Sequence, residues 1–146
     1  MPLRLASNTS LHGRILLVDD NLSGLAARKT ILDELGHKTR CVSNAADALE
    51  QLTSQKFDLV VTDYKMPRMD GIELIKRIRK QEIQVPIVLL SGFVDALGLN
   101  EETTGADAVI QKSANEVSHL VRAVTRLLRR KKPPAQAPPK VKRHAV

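Results

Sequence analysis

Four short apolar runs, rich in β-branched residues, each lead into a polar side chain. Ile15-Leu16-Leu17-Val18 runs into Asp19-Asp20, Leu59-Val60-Val61-Thr62 into Asp63, and Ile87-Val88-Leu89-Leu90 into Ser91. Ala108-Val109-Ile110 runs almost into Lys112. Separated by helix-like segments, such runs read as parallel strands of one open α/β sheet. The pattern predicts strands over 14–18, 58–62, 86–90 and 108–110, with a more polar edge strand over 37–42. Helical spacing fills the gaps. A first helix follows the N-cap Asn21, sets Gly24, Ala27, Ile31 and Leu35 on one face, and stops at Gly36. A second starts near Asn44 and uses Ala48, Leu49 and Leu52; a third starts near Asp70 and uses Leu74, Ile75 and Ile78. A fourth is expected over 95–104 despite Gly98 inside it. Ser113-Ala114-Asn115-Glu116 fits a capping box for the last, whose apolar face runs from Val117 to Leu128. Strand–helix alternation predicts an α/β fold with a doubly wound, five-stranded parallel sheet. Ligands of such sheets bind outside the carboxyl ends of the strands. Four strands therefore deliver acids, a hydroxyl and an amine to one edge, the ingredients of a magnesium and phosphoryl site.

The length, 146 residues, suffices for one domain with a core, and the 2% of aromatic residues leaves that core to Leu, Ile, Val and Ala. The net charge of +7 suggests a nucleic-acid partner only until it is located. Of the 23 Lys and Arg, seven lie in 129–146, which holds no acid; the other 16 balance the 16 acids. The expected organisation is a leader over 1–12, a folded domain over 13–130, and a basic, proline-rich, disordered tail over 131–146. No second domain is expected after the last helix. The lone Cys41 excludes an intramolecular disulfide. The start lacks a signal-peptide stretch, and no run approaches the roughly 20 apolar residues that cross a bilayer. A soluble, cytoplasmic protein without a membrane partner is expected.

The ordered set Val18-Asp19-Asp20, Val61-Thr62-Asp63-Tyr64, Met66-Pro67-Arg68-Met69-Asp70-Gly71, Ser91-Gly92 and Gly105-Ala106-Asp107 leading to Lys112 resembles the receiver domain of two-component response regulators. The resemblance covers roughly 13–130 and implies a flavodoxin-like sheet with strand order 2-1-3-4-5. It also implies a signalling module rather than an enzyme, beyond its own phosphorylation and dephosphorylation. Asp63 is then the phosphoacceptor, a carboxylate that attacks phosphorus and forms an acyl phosphate. An anionic nucleophile meeting an anionic donor needs a cation, and Mg2+ suits carboxylates, water and phosphoryl oxygen. Asp20 and Asp63 are the expected direct ligands, Asp19 acts through water, and the family pattern adds the backbone carbonyl of Lys65. Lys112 is expected to pair with Asp63 and to reach the phosphoryl group; the Ser91 hydroxyl is expected to donate to it. The connector from Met66 to Gly71 reads as structural, with an exposed methionine and basic side chains as a minor candidate contact surface. The partners implied are a sensor histidine kinase or phosphotransfer protein and an unidentified downstream protein; the oligomeric state is left open.

Two positions depart from the family pattern. Val109 stands where receivers usually carry Tyr or Phe, and Ser113 where a proline usually follows the lysine. The usual relay from the hydroxyl residue to the last helix is therefore incomplete, although a trans Lys112–Ser113 bond is expected. One alternative is an unphosphorylated interaction module of the same fold. Another is nucleic-acid association through the tail, disfavoured because the tail has no aromatic residue and four prolines. A hydrolase with an aspartate nucleophile is disfavoured by Lys65 in place of a second acid, and a flavodoxin by acids where a flavin phosphate would sit.

Overall fold

The computed structural model describes residues 12–131. The expected leader before His12 and the expected tail after Lys131 lie outside the described residues. The elements in order are β1 (Arg14–Val18), α1 (Leu22–Glu34), β2 (Lys38–Val42), α2 (Ala45–Ser54), β3 (Leu59–Asp63) and α3 (Gly71–Lys80). There follow β4 (Ile87–Ser91), α4 (Val94–Leu97), α5 (Glu101–Thr104), β5 (Ala108–Gln111) and α6 (Glu116–Lys131). The strands form one parallel sheet in the order β2-β1-β3-β4-β5. This is the doubly wound, flavodoxin-like order that was expected.

Successive strand residues face opposite sides of the sheet. Ile15, Leu17, Val61, Val88 and Leu90 therefore pack with Leu25, Leu32, Leu120, Val124 and Leu127 of α1 and α6. Leu16, Val18, Val60 and Leu89 pack on the other side with Ala48, Leu52, Leu74, Ile75 and Ile78 of α2 and α3. β1, β3 and β4 are almost wholly buried; the edge strands β2 and β5 are only partly so. The register pairs Val18 with Thr62, Asp63 with Leu90, and Ser91 with Gln111. The carboxyl ends of the strands are thus level, and the residues just past them share one edge.

Several local expectations need correction. On α1 the buried residues are Leu25, Arg28 and Leu32, not the Gly24, Ala27, Ile31 and Leu35 stripe; Leu35 is 45% exposed. A charged residue occupies the middle of the buried face because acids at the sheet edge receive it. The expected single helix over 95–104 is two short helices, α4 and α5. Gly98 takes the left-handed conformation at φ 64° and closes α4, where other residues are strained, and Asn100 and Thr103 form the capping box that opens α5. The capping box at Ser113 does not form. The Ser113 hydroxyl accepts the Asn115 N–H at 3.2 Å, while the Glu116 carboxylate turns to Arg28. The connector offers no fully exposed methionine: Met66 is buried among the α2 and α3 core residues, and Met69 is half-buried against them. Strands β3 and β4 begin and end one residue later than the apolar pattern indicated, so Asp63 and Ser91 are themselves strand residues. No cis peptide bond occurs among the described residues.

Candidate functional site

Asp19, Asp63 and Lys112 are each placed by the backbone. Asp19 follows β1, and its N–H continues the ladder to the Val42 carbonyl at 3.2 Å. Asp63 is the last residue of β3, between β1 and β4 in the centre of the sheet. Lys112 follows β5 and donates its N–H to the Ser91 carbonyl at 2.8 Å. Asn21 caps α1 through the Gly24 N–H, and Asp70 caps α3 through the Glu73 N–H, each at 2.9 Å, so both helices start from the same edge. Asp19, Asp20, Asp63, Lys65, Ser91 and Lys112 line one open hollow of about 470 Å³ there.

Asp19, Asp20 and Asp63 each offer a carboxylate oxygen within 4.8 Å of the others. Their surroundings differ. Asp20 is exposed, whereas Asp19 and Asp63 are buried. Asp19 is fully engaged: one oxygen accepts the Asn21 N–H at 2.9 Å and the other accepts Arg28 Nη1 at 2.7 Å. Asp63 Oδ1 is in ion-pair contact with Lys112 Nζ and otherwise has no hydrogen-bond partner among the described residues. Burial pushes the Asp63 carboxyl above its ordinary value; the Lys112 bond pulls the other way, and the Asp19 charge adds to the rise. Three convergent carboxylates, one poor in hydrogen bonds and one open to solvent, fit a hard divalent cation that keeps several waters.

Ser91 is buried, and its hydroxyl oxygen accepts the Phe93 N–H at 2.9 Å. An oxygen used as an acceptor leaves its own proton for another acceptor in the hollow. The Lys65 ammonium lies 5.7 Å from the centroid of the half-exposed Phe93 ring, a cation–π contact beside the hollow. The candidates Asp19, Asp20, Asp63, Lys65, Ser91 and Lys112 are thus together.

Two residues at the site, Arg28 and Gln111, were not singled out from sequence. Arg28 joins the acids to α6: its Nε donates to Glu116 Oε2 at 3.0 Å. Burial works against the Arg28 charge, but the bonds to Asp19 and Glu116 outweigh it and hold the guanidinium more firmly protonated than usual. The available signal was an arginine between Leu25 and Leu32, breaking an apolar face at helical spacing. Gln111, at the end of β5, spans to the loop after β4: its Nε2 donates to the Gly92 carbonyl at 2.9 Å, and its Oε1 accepts the Val94 N–H at 3.1 Å. No sequence signal marked it. Val109 is half-buried on edge strand β5, packs toward the α2 and α3 side, and donates its N–H to Glu101 Oε2 at 3.3 Å.

The response regulator receiver domain family matches residues 15–125. The alkaline phosphatase synthesis transcriptional regulatory protein PhoP of Bacillus subtilis is 34% identical over 122 residues, which are 80% of this chain and 50% of that protein. The chain thus spans about half the length of this curated relative. Among solved structures, the receiver domain of the Francisella response regulator 1452 superposes with a TM-score of 0.75 at 30% identity, covering 83% of this chain and 100% of that one. The response regulator protein TrrA from Thermotoga maritima, solved in complex with Mg(2+)-BeF, superposes with a TM-score of 0.66 at 31% identity, covering 76% and 97%. Among the described residues no helix is long and apolar enough to cross a membrane.

Proposed function

The chain belongs to the response regulator receiver domain family, a family of signalling modules, and we propose that it accepts a phosphoryl group on Asp63 from a histidine kinase or phosphotransfer protein. The observation that carries this reading is the pairing of Asp63 with Lys112 beside two further acids and Ser91 at one sheet edge. Mg2+, held by Asp20, Asp63 and the Lys65 backbone carbonyl, with Asp19 acting through water, would neutralise charge between the acceptor and an anionic donor. An Asp63 carboxylate oxygen attacks phosphorus in line; the phosphorus–nitrogen bond to the donor histidine breaks, and the imidazole leaves. Lys112 is already in contact with Asp63 and follows the new charge onto the phosphoryl oxygens. The Ser91 hydroxyl donates a hydrogen bond to one of them. The product changes binding to a downstream protein.

The experiment is incubation of wild type and Asp63→Asn with acetyl phosphate and magnesium, followed by intact mass measurement. Wild type is expected to gain one phosphoryl mass and Asp63→Asn none. A wild type that stays unmodified while it binds a kinase would support the unphosphorylated interaction module instead.

A further inference from the structure

We propose that Arg28 is a built-in cation of the acidic site, a positioning residue that holds Asp19 and competes with divalent metal for the charge of the three carboxylates. The proposal rests on the reading of Asp19, Asp20 and Asp63 as a metal site. A guanidinium buried in the middle of a helix face is expensive to keep unless it is paired. Arg28, with a side chain 10% exposed, is paired at two points, with Asp19 at 2.7 Å and Glu116 at 3.0 Å. The fold makes room for it. A Cβ on Gly24 would stand 3.1 Å from Asp19 Oδ2 and 3.2 Å from Arg28 Nη1, so the helix passes this pair with bare backbone.

The consequence is electrostatic. The three carboxylates bring three negative charges. Lys112 and Arg28 bring two positive ones. Removing Arg28 therefore leaves the surroundings of the three carboxylates one unit more negative. Asp19 also has no oxygen without a protein partner, whereas Asp20 is exposed and Asp63 Oδ1 has only its ion pair. Arg28 therefore lowers the attraction of the site for a divalent cation and fixes which carboxylates remain to meet it. Glu116 acts in the opposite sense, because its charge offsets part of that of Arg28. A role limited to tying α1 to α6 predicts no such pair of opposite effects.

The test is a titration of the full chain with magnesium chloride alone, without phosphodonor, followed by amide chemical shifts. Arg28→Met is expected to bind magnesium on the order of tenfold tighter, the size of a unit-charge effect on a nearby divalent ion under water-like screening. Arg28→Lys, which keeps the charge, is expected to stay within about threefold of wild type, and Glu116→Gln to bind about threefold more weakly. Thermal melts add a second readout: Arg28→Met should melt lower than wild type without magnesium and gain more from it, as the buried Asp19 charge recovers a cation. Folded Arg28→Met with unchanged or weaker magnesium binding overturns the proposal. If Arg28→Met does not fold, Glu116→Gln decides, and unchanged or tighter binding there overturns it equally. A wild type that shows no magnesium response fails at the earlier step, the metal reading itself, and takes this proposal with it.

Discussion

Replacement of Asp63 by asparagine should stabilise the protein, although it removes the residue on which the proposed function depends. The Asp63 side chain is 7% exposed, and its Oδ1 has no hydrogen-bond partner apart from its contact with Lys112. The three carboxylates offer oxygens no more than 4.8 Å apart, and at that limit two like charges repel by about 3.5 kcal/mol at an effective dielectric constant of about 20 and by about 0.9 kcal/mol at that of water. Asp19 repels the Asp63 charge, while Lys112 and Arg28 attract it, so the neighbouring charges act in opposite directions. What remains is burial, the largest influence on the Asp63 carboxyl, and it favours the neutral form. Asparagine is neutral, nearly the same shape, and able to donate to a neighbouring carboxylate. A buried charged group short of partners costs about 1–3 kcal/mol, so a gain of about 1–2 kcal/mol is expected near neutral pH in the absence of metal.

The pH dependence separates this reasoning from a packing effect. The folded-state value of Asp63 lies above its ordinary value of 3.8, so between the two the folded protein holds the proton more often than the unfolded chain. The penalty is present in full above the folded-state value and disappears as the pH falls through it toward 3.8. Urea denaturation of both proteins in EDTA, from near neutrality downward, should show a gap that closes on acidification. Magnesium should narrow the gap at neutral pH, because it stabilises wild type by RT ln(1 + [Mg]/Kd) and the variant less. An asparagine variant no more stable than wild type near neutrality, or a gap independent of pH, refutes the argument.

Gly71→Ala should destabilise the fold by about 1–3 kcal/mol in urea melts, since the new Cβ would fall within the contact distance of the Asp63 carbonyl oxygen and 2.8 Å from Leu89 Cδ1. A fully stable variant would show that the end of β3 yields more easily than the packing suggests. Amide shift mapping with magnesium and a beryllofluoride phosphoryl mimic should give a response concentrated between Ser91 and Thr104, with little change in packing at Val109. A dominant response at Val109 and α6, with residues 91–104 unchanged, would exclude that route.

Most of the sheet and the acidic edge was legible because both depend on local pattern. A strand buried on both faces shows as an apolar run, and a run cannot end without leaving the next polar residue at the sheet edge. That logic reaches Asp19, Asp63, Ser91 and Lys112 with no knowledge of what lies across the fold. It fails where a residue answers to a distant partner. Arg28 looks like an exposed helix position by composition, but its partners lie nine and 88 residues away. Glu116 has the spacing of a capping box, and the stronger claim of a buried guanidinium removes it from that role. Gly98 weakens one helix in the pattern and in the structure divides it in two, since Asn100 offers a fresh start two residues later.

These distant partners bear on how a charge placed on Asp63 could be felt elsewhere. Val109 is short, β-branched and confined at χ1, so it has no ring to exchange between surface and interior. Two side-chain ties leave the hollow instead. Ser91 is bonded to the Phe93 amide, and Gln111 clasps Gly92 and Val94, so the start of α4 is held to both β4 and β5. On the other side, Arg28 carries the acids to the first residue of α6. The Ser91 tie involves a hydroxyl that the phosphoryl group would engage, and it sits beside α4, a helix of four residues with little burial of its own. The Arg28 tie runs through a long helix packed into the core. A perturbation of given size moves the weaker element further. The segment after Ser91 is therefore where movement is expected, and the Arg28 bridge is where charge is expected to be felt without it.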